Sequence, residues 1–230
     1  MSGLMTSSVE SPEERAGSAE GEGSLAAILA LAPVVPVLVV ERLEDAVPLA
    51  EALVRAGLPV LEVTLRTAVA WDAAAAMHRE VPGAVVGVGT VTKPSDLARA
   101  AALGLRFAVS PGATPALFAA ARAEGVPYLP GVATVSEAMA AAELGFTHLK
   151  LFPAIPVGGA ALLRALQGPL PALRFCPTGG VSLANAPELL ALPNVACVGG
   201  SWMATAALVQ ARDWGRVEEL AREAAGLRRG

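Results

Sequence analysis

From Val34 onward, short runs of valine and leucine alternate with alanine-rich segments whose apolar residues recur at helical spacing. The runs are Val34–Val40, Pro59–Leu65, Val85–Thr90, Arg106–Ser110, Pro127–Gly131, His148–Phe152, Arg174–Pro177 and Val195–Gly199. They are brief, nearly continuous in apolar residues and flanked by Gly and Pro, which is how strands buried in a parallel sheet read. Between them the spacing predicts helices over Leu43–Ala56, Ala68–Glu80, Ser95–Leu103, Pro115–Glu124, Ser136–Leu144, Gly159–Leu166 and Ala184–Ala191, with a last one near Trp214–Leu227. Gly57, Gly104, Gly125 and Gly145 fall where a helix must stop. Ser24 is placed to cap a short helix, Leu25–Leu31. Eight strand–helix units predict one domain over residues 24–230, an eight-stranded (β/α)8 barrel, with an open doubly wound sheet as the rival arrangement. Barrels of this kind carry their chemistry at the C-terminal ends of the strands.

Residues 1–23 break the pattern. They are rich in Ser, Glu and Gly, hold almost nothing to bury, and read as a flexible acidic tail. Glu10, Glu13, Glu14, Glu20, Glu22 and Arg15 account for the whole formal charge of −4, so the remainder is formally neutral. A neutral body lacks the basic footprint of a general nucleic-acid binder. Gly23 to Val40 is an uncharged run of 18 residues, the crude length of a membrane helix. Pro33 and Pro36 interrupt it, its second half is Val-rich, and an acidic rather than basic segment precedes it. A helix, a turn and a buried strand are expected there, with neither membrane insertion nor secretion. Cys176 and Cys197, the two cysteines, lie in apolar runs and read as buried thiols in a reducing, cytoplasmic compartment.

Fifteen of the 17 basic residues are Arg, so chemistry that needs a lysine amine has two candidates, Lys93 and Lys150. Lys93 lies in the turn Thr92-Lys93-Pro94-Ser95 and reads as solvated. Lys150 lies in His148-Leu149-Lys150-Leu151-Phe152-Pro153, where alternation puts His148, Lys150 and Phe152 on one face. A lysine inside so apolar a strand has its charged form disfavoured, and the free amine is the nucleophile of a Schiff base. An ordinary lysine, with a pKa of about 10.4, offers only about one neutral amine in a thousand near neutral pH. Burial and a nearby cation such as Arg66 would raise that fraction; the alternative is a lysine snorkelling from an edge strand.

The second strand, Leu61-Glu62-Val63-Thr64-Leu65-Arg66, puts Glu62, Thr64 and Arg66 on the face opposite its aliphatic residues. A carboxylate pointing into a barrel is costly unless it is paired or has a task. Either a Glu62–Arg66 ion pair or a catalytic carboxylate fits. His148, early in its strand, reads as structural, and His78, on an amphipathic helix, as surface.

Strand seven runs into Cys176-Pro177-Thr178-Gly179-Gly180-Val181-Ser182 and strand eight into Val198-Gly199-Gly200-Ser201-Trp202. Glycine lets backbone N–H groups approach an anion, and loops seven and eight are a frequent phosphate site of such barrels. Tight turns without a ligand would look the same. Gly89-Thr90, Ser110-Pro111-Gly112, and Gly131 with Thr134 are further candidates at the mouth, for substrate or for plain turns. No His, Asp, Glu or Cys cluster has metal-ligand spacing, and neither a Walker loop nor a dinucleotide fingerprint occurs, so no metal or other cofactor is expected.

Six motifs then fall in order: Leu61-Glu62-Val63-Thr64-Leu65-Arg66, Gly87-Val88-Gly89-Thr90, Ser110-Pro111-Gly112, Lys150-Leu151-Phe152-Pro153-Ala154, Arg174-Phe175-Cys176-Pro177-Thr178-Gly179-Gly180 and Gly199-Gly200-Ser201-Trp202. Together, from about Val34 to the C-terminus, they resemble the family of 2-keto-3-deoxy-6-phosphogluconate (KDPG) and 4-hydroxy-2-oxoglutarate (KHG) aldolases. The resemblance implies a metal-free class I aldolase on a TIM barrel, usually a homotrimer, in the Entner–Doudoroff pathway of carbohydrate metabolism. It implies Lys150 as Schiff-base lysine and Glu62 as general acid/base. Arg66 and Thr90 would hold the pyruvoyl carboxylate, and Phe152 and Pro111 would line the pyruvate pocket. Thr178 would contact substrate hydroxyls, and Gly179, Gly180 and Ser201 the phosphate. The substrate is then a phosphorylated 2-keto acid and a product is pyruvate. One departure from the family pattern is Ala154-Ile155-Pro156-Val157-Gly158-Gly159, where members often carry an acid after Phe-Pro-Ala; loop shape and selectivity depend on it. The galactonate epimer as substrate, and a phosphosugar isomerase or a non-catalytic sensor on the same barrel, are the other readings.

Overall fold

The computed structural model describes residues 24–227, so the acidic segment 1–23 lies outside the described residues. Ser24 accepts a hydrogen bond from the Ala27 N–H at 3.2 Å and starts α1 (Leu25–Ala30). There follow β1 (Val34–Leu38), a 3-10 turn (Leu43–Asp45), α2 (Ala46–Arg55), β2 (Val60–Thr64), α3 (Ala70–Glu80), β3 (Val85–Gly89), α4 (Pro94–Ala102), β4 (Phe107–Val109) and α5 (Pro115–Glu124). The second half holds β5 (Tyr128–Leu129), β6 (Gly131–Val132), α6 (Val135–Glu143), β7 (His148–Leu151), α7 (Gly159–Gln167), β8 (Arg174–Pro177), α8 (Ala186–Leu190), β9 (Val198–Gly200), α9 (Ala206–Ala211) and α10 (Trp214–Ala225). The apolar run 23–40 thus resolves into α1, a turn and β1, and no helix among the described residues is long and apolar enough to cross a membrane.

Every strand pairing is parallel. Six strands run in the order β5-β4-β3-β2-β1-β9, and three in the order β6-β7-β8. The sequence reads 127–131 as one strand; the structure divides it at Pro130, which has no N–H to give a ladder. Two isolated parallel bridges, Phe175–Val195 and Thr178–Gly199, tie β8 to the stretch leading into β9. The eighth predicted strand therefore keeps only its C-terminal part as ladder. The single domain is a curled, parallel α/β scaffold. α9 escapes the periodicity analysis because its six residues are too few to show a face; Thr205 marks its start by accepting from the Leu208 N–H at 3.4 Å.

Alternation sorts the core into two regions. Leu38, Leu61, Val63, Val86, Val88, Ala108, Leu149, Leu151 and Phe175 point outward to the helices. Val35, Val60, Phe107, Val109, Leu129, Cys176 and Cys197 point inward and meet Ile28 and Leu29 of α1. α1 thus packs its apolar side on the interior at its lower end. A Cβ on Gly87 would lie 2.5 Å from the Phe107 ring, so Gly87 makes room for that ring. Phe107 is fully buried. Phe107→Ala should lower unfolding free energy by about 3–5 kcal/mol in urea titration; a loss below about 1 kcal/mol would contradict its place at the centre of the inner core.

Candidate active site

β2 carries Glu62 and Thr64 inward, and β7 carries Lys150 inward, as alternation requires when 61, 63, 149 and 151 face the helices. Although β2 and β7 belong to different sheets, their side chains meet: Lys150 Nζ donates to Glu62 Oε1 at 3.0 Å and lies 3.4 Å from Oε2. Lys150 is 5% exposed and Glu62 3%. This decides two alternatives that the sequence leaves open. Glu62 pairs with Lys150 rather than Arg66, because Arg66 lies beyond the end of β2 and is exposed. Lys150 does not snorkel, because β7 is the central strand of its sheet and its side chain points into the interior.

The surroundings fit that pair closely. A Cβ on Gly89 would sit 2.0 Å from Glu62 Oε1, so glycine on the neighbouring strand leaves the space the carboxylate fills. The Phe152 ring centroid is 5.4 Å from Lys150 Nζ, close enough for a cation–π contact. The Thr64 hydroxyl donates to the Leu38 carbonyl at 2.7 Å and ties β2 to β1 beside the carboxylate. Thr90 follows with φ +62, a left-handed conformation that costs a β-branched residue about 1–3 kcal/mol. Arg66 Nε donates to its hydroxyl at 3.3 Å. The two residues expected at the substrate carboxylate are therefore joined to each other just above Glu62.

Thr178 is buried, Gly179 half-buried and Gly180 exposed, a gradient from interior to mouth. Gly179 and Gly180 take φ +97 and +78, which side chains rarely adopt. The Gly179 carbonyl accepts from the Ile155 N–H at 3.1 Å, and the Gly180 carbonyl from the Asn185 amide at 3.0 Å. Ser201 is exposed at the end of β9. Gly199 has a packing task as well, since a Cβ there would lie 2.3 Å from Thr178 Oγ1; Gly200 likewise makes room for the Trp202 ring. Pro111 is half-buried, and its backbone packs so closely on Gly131 that a Cβ there would lie 2.3 Å away.

Two features escape the sequence reading. Ser110 Oγ lies 2.5 Å from the Tyr128 hydroxyl and accepts from the Gly131 N–H at 3.3 Å, clamping the ends of β4 and β5. Burial pushes the Tyr128 phenol up to about 12, against the opposing pull of Ser110. Cys176 stands in register beside Lys150; alternation along 174–178 is the signal that could have found it. His148 sits at the start of β7 with its pKa lowered by burial and then by the Arg174 charge. His78 is half-buried, not a surface residue as expected, since α3 turns it toward Gly104.

A buried amine against a buried carboxylate, at the inner face of a parallel α/β scaffold, is the build of a lyase that works on carbonyl compounds through an amine. The chain belongs to the KDPG and KHG aldolase family, whose pattern it matches over residues 25–220. It is 50% identical over 201 residues to the KHG/KDPG aldolase of Escherichia coli, covering 87% of this chain and 94% of that one. It is also 50% identical to the 2-dehydro-3-deoxy-phosphogluconate aldolase of Pseudoalteromonas atlantica, over 84% of this chain and 89% of that one. The crystal structure of KDPG aldolase from Legionella pneumophila, with pyruvate captured as a covalent carbinolamine, superposes with a TM-score of 0.85 at 45% identity, covering 87% of this chain and 98% of that one.

Gly89→Ala should displace the Glu62 carboxylate and reduce kcat about a hundredfold while circular dichroism stays that of the parent. An unchanged kcat would show that the carboxylate's position does not matter to turnover.

Proposed function

We propose that the chain is a class I, Schiff-base aldolase. It cleaves 2-dehydro-3-deoxy-6-phosphogluconate to pyruvate and glyceraldehyde 3-phosphate, and 4-hydroxy-2-oxoglutarate to pyruvate and glyoxylate. The observation that carries this reading is the buried Lys150–Glu62 contact at 3.0 Å. Membership of the family, and the covalent carbinolamine of the Legionella relative, support it. An isomerase of phosphosugars would need no imine-forming lysine, and a sensor would need neither residue.

The Lys150 amine attacks the C2 ketone. The carbinolamine loses water and leaves an iminium ion, an electron sink next to C3. Glu62, directly or through a water, takes the proton of the C4 hydroxyl. The C3–C4 bond breaks; the aldehyde leaves and an enamine remains. Glu62 returns a proton to that carbon, and hydrolysis releases pyruvate. Arg66, with Thr90 beside it, receives the carboxylate, to which a guanidinium can make two hydrogen bonds. Phe152 and Pro111 flank the pyruvoyl group, and Thr178 meets the hydroxyls of the chain. Gly179, Gly180 and Ser201 take the phosphate, whose binding far from the reacting bond orients it for cleavage.

The scaffold under this site is read as a closed (β/α)8 barrel in which β5 and β6 form one strand interrupted at Pro130. The β8 bridges to Val195 and Gly199, and the meeting of Glu62 with Lys150 from separate sheets, support closure. A homotrimer in the cytoplasm is the assembly and location that the family resemblance supports.

Lys150→Ala should lower kcat by about 10⁴-fold or more with the fold retained, and Glu62→Gln should slow turnover while leaving imine formation with pyruvate in place. Substantial aldol cleavage by the lysine variant would overturn the reading. Ser201→Ala should raise KM for the phosphorylated substrate about tenfold and leave KM for 4-hydroxy-2-oxoglutarate nearly unchanged; equal effects on the two would remove the phosphate role.

A further inference from the structure

Cys176 and Cys197 take no part in the chemistry above, yet both lie in the interior beside it. Cys176 pairs in register with Lys150 across β7 and β8, so its side chain points to the same side as the amine. Its Sγ is 3.8 Å from Thr178 Oγ1. On the other flank, the Phe175–Val195 and Thr178–Gly199 bridges bracket it, and the Ala196 N–H donates to the Phe175 carbonyl at 2.9 Å. Cys197 lies inside that bracket. Between the two bridges the β9 side is one residue longer than the β8 side, which leaves a bulge opposite Cys176. Both thiols belong to the same inward cluster, 3% and 0% exposed.

We propose that Cys176 and Cys197 form a peroxide-sensitive dithiol whose oxidation to a disulfide beside Lys150 reversibly stops turnover. The Cys176 thiol is more acidic than usual. The Cys197 side chain contributes most to this and the Lys150 charge adds to it, against burial and Glu62. A larger thiolate fraction makes it the first sulfur to react. Its thiolate attacks one oxygen of hydrogen peroxide; the O–O bond breaks, hydroxide leaves and a sulfenic acid remains. The Cys197 sulfur then attacks the Cys176 sulfur, and the S–O bond breaks. With hydrogen peroxide, the two thiol protons and the two oxygens leave as two waters; the sulfurs together lose two electrons and the peroxide gains them. The reagent must be small. Cys176 and Cys197 are 3% and 0% exposed, so a small oxidant rather than a bulky thiol reagent is the probe. Joining β8 to β9 at this level draws Cys176 toward β9 and shifts the register partner of Lys150. Pyruvate held on Lys150 should shield the thiol.

Disulfide formation stands on the placement of the two cysteines, whereas the loss of turnover rests also on the assignment of Lys150. The test treats the full chain with hydrogen peroxide, with and without pyruvate, then assays aldol cleavage and counts alkylatable thiols by peptide mass mapping. The chain has two cysteines, so an intramolecular bond can join only this pair. The expected result is a Cys176–Cys197 disulfide, at least about a tenfold loss of kcat, recovery with dithiothreitol, and slower oxidation with pyruvate present. Cys197→Ala and Cys176→Ala should each keep their own starting activity through the same treatment. Two reduced thiols after treatment, or equal inactivation of parent and variants, would overturn the proposal. A disulfide that leaves kcat unchanged would overturn the switch, and if Lys150→Ala is also inactive, the aldolase reading stands. Should an alanine variant fail to fold, the thiol count on the parent decides.

Discussion

A carboxylate and an ammonium group sharing one apolar interior must meet, and that requirement organises this protein. Glu62 and Lys150 come from strands in different sheets, yet they stand 3.0 Å apart with almost no exposure. Deleting one partner of such a buried pair typically costs about 3–5 kcal/mol, because the other charge is left inside without compensation. The curl of the sheets brings the two strands face to face, Gly89 gives the carboxylate its space, and β7 carries the amine from the centre of its sheet. The same contact serves chemistry, since an imine-forming amine needs a proton carrier at hand and Glu62 is already hydrogen-bonded to it.

Other local features cluster round that contact. Thr90 is held left-handed immediately above Glu62, with Arg66 bonded to its hydroxyl. Gly179 and Gly180, also left-handed, turn the chain after β8, where Ile155 and Asn185 anchor their carbonyls. Such conformations persist where surrounding structure holds them, and Thr90, Gly179 and Gly180 all stand just past the C-terminal ends of strands. Ile155 itself stays 39% exposed against Gly180, so the stretch that departs from the family pattern packs directly on this turn.

Much of this was legible beforehand. Alternation in 61–66 and 148–152 assigns Glu62 and Lys150 to inward faces, and Gly57, Gly104, Gly125 and Gly145 mark where four of the helices end. Alternation names a face but not the residue met across an interior. That is why Arg66 was the only ion-pair partner the sequence offered for Glu62, and why the nearness of Lys150 to Glu62 and of Cys176 to Lys150 went unseen. Pro130 and the bulge near Val195 shorten two strands because each breaks the ladder locally, a hydrogen-bonding effect to which the apolar pattern is blind. Gly199 and Gly200 could be read as anion-binding turns; the space they leave for Thr178 and Trp202 depends on tertiary contacts that no local pattern encodes.

The central claim is that Lys150 carries the carbonyl carbon during turnover. Reduction with borohydride in the presence of pyruvate, followed by peptide mass mapping, addresses it directly, since the chain has two lysines and one α-amino group. The account predicts a reduced pyruvyl adduct on Lys150 and none on Lys93. An unmodified Lys150 in folded protein, or an adduct confined to Lys93 or the N-terminus, would contradict it.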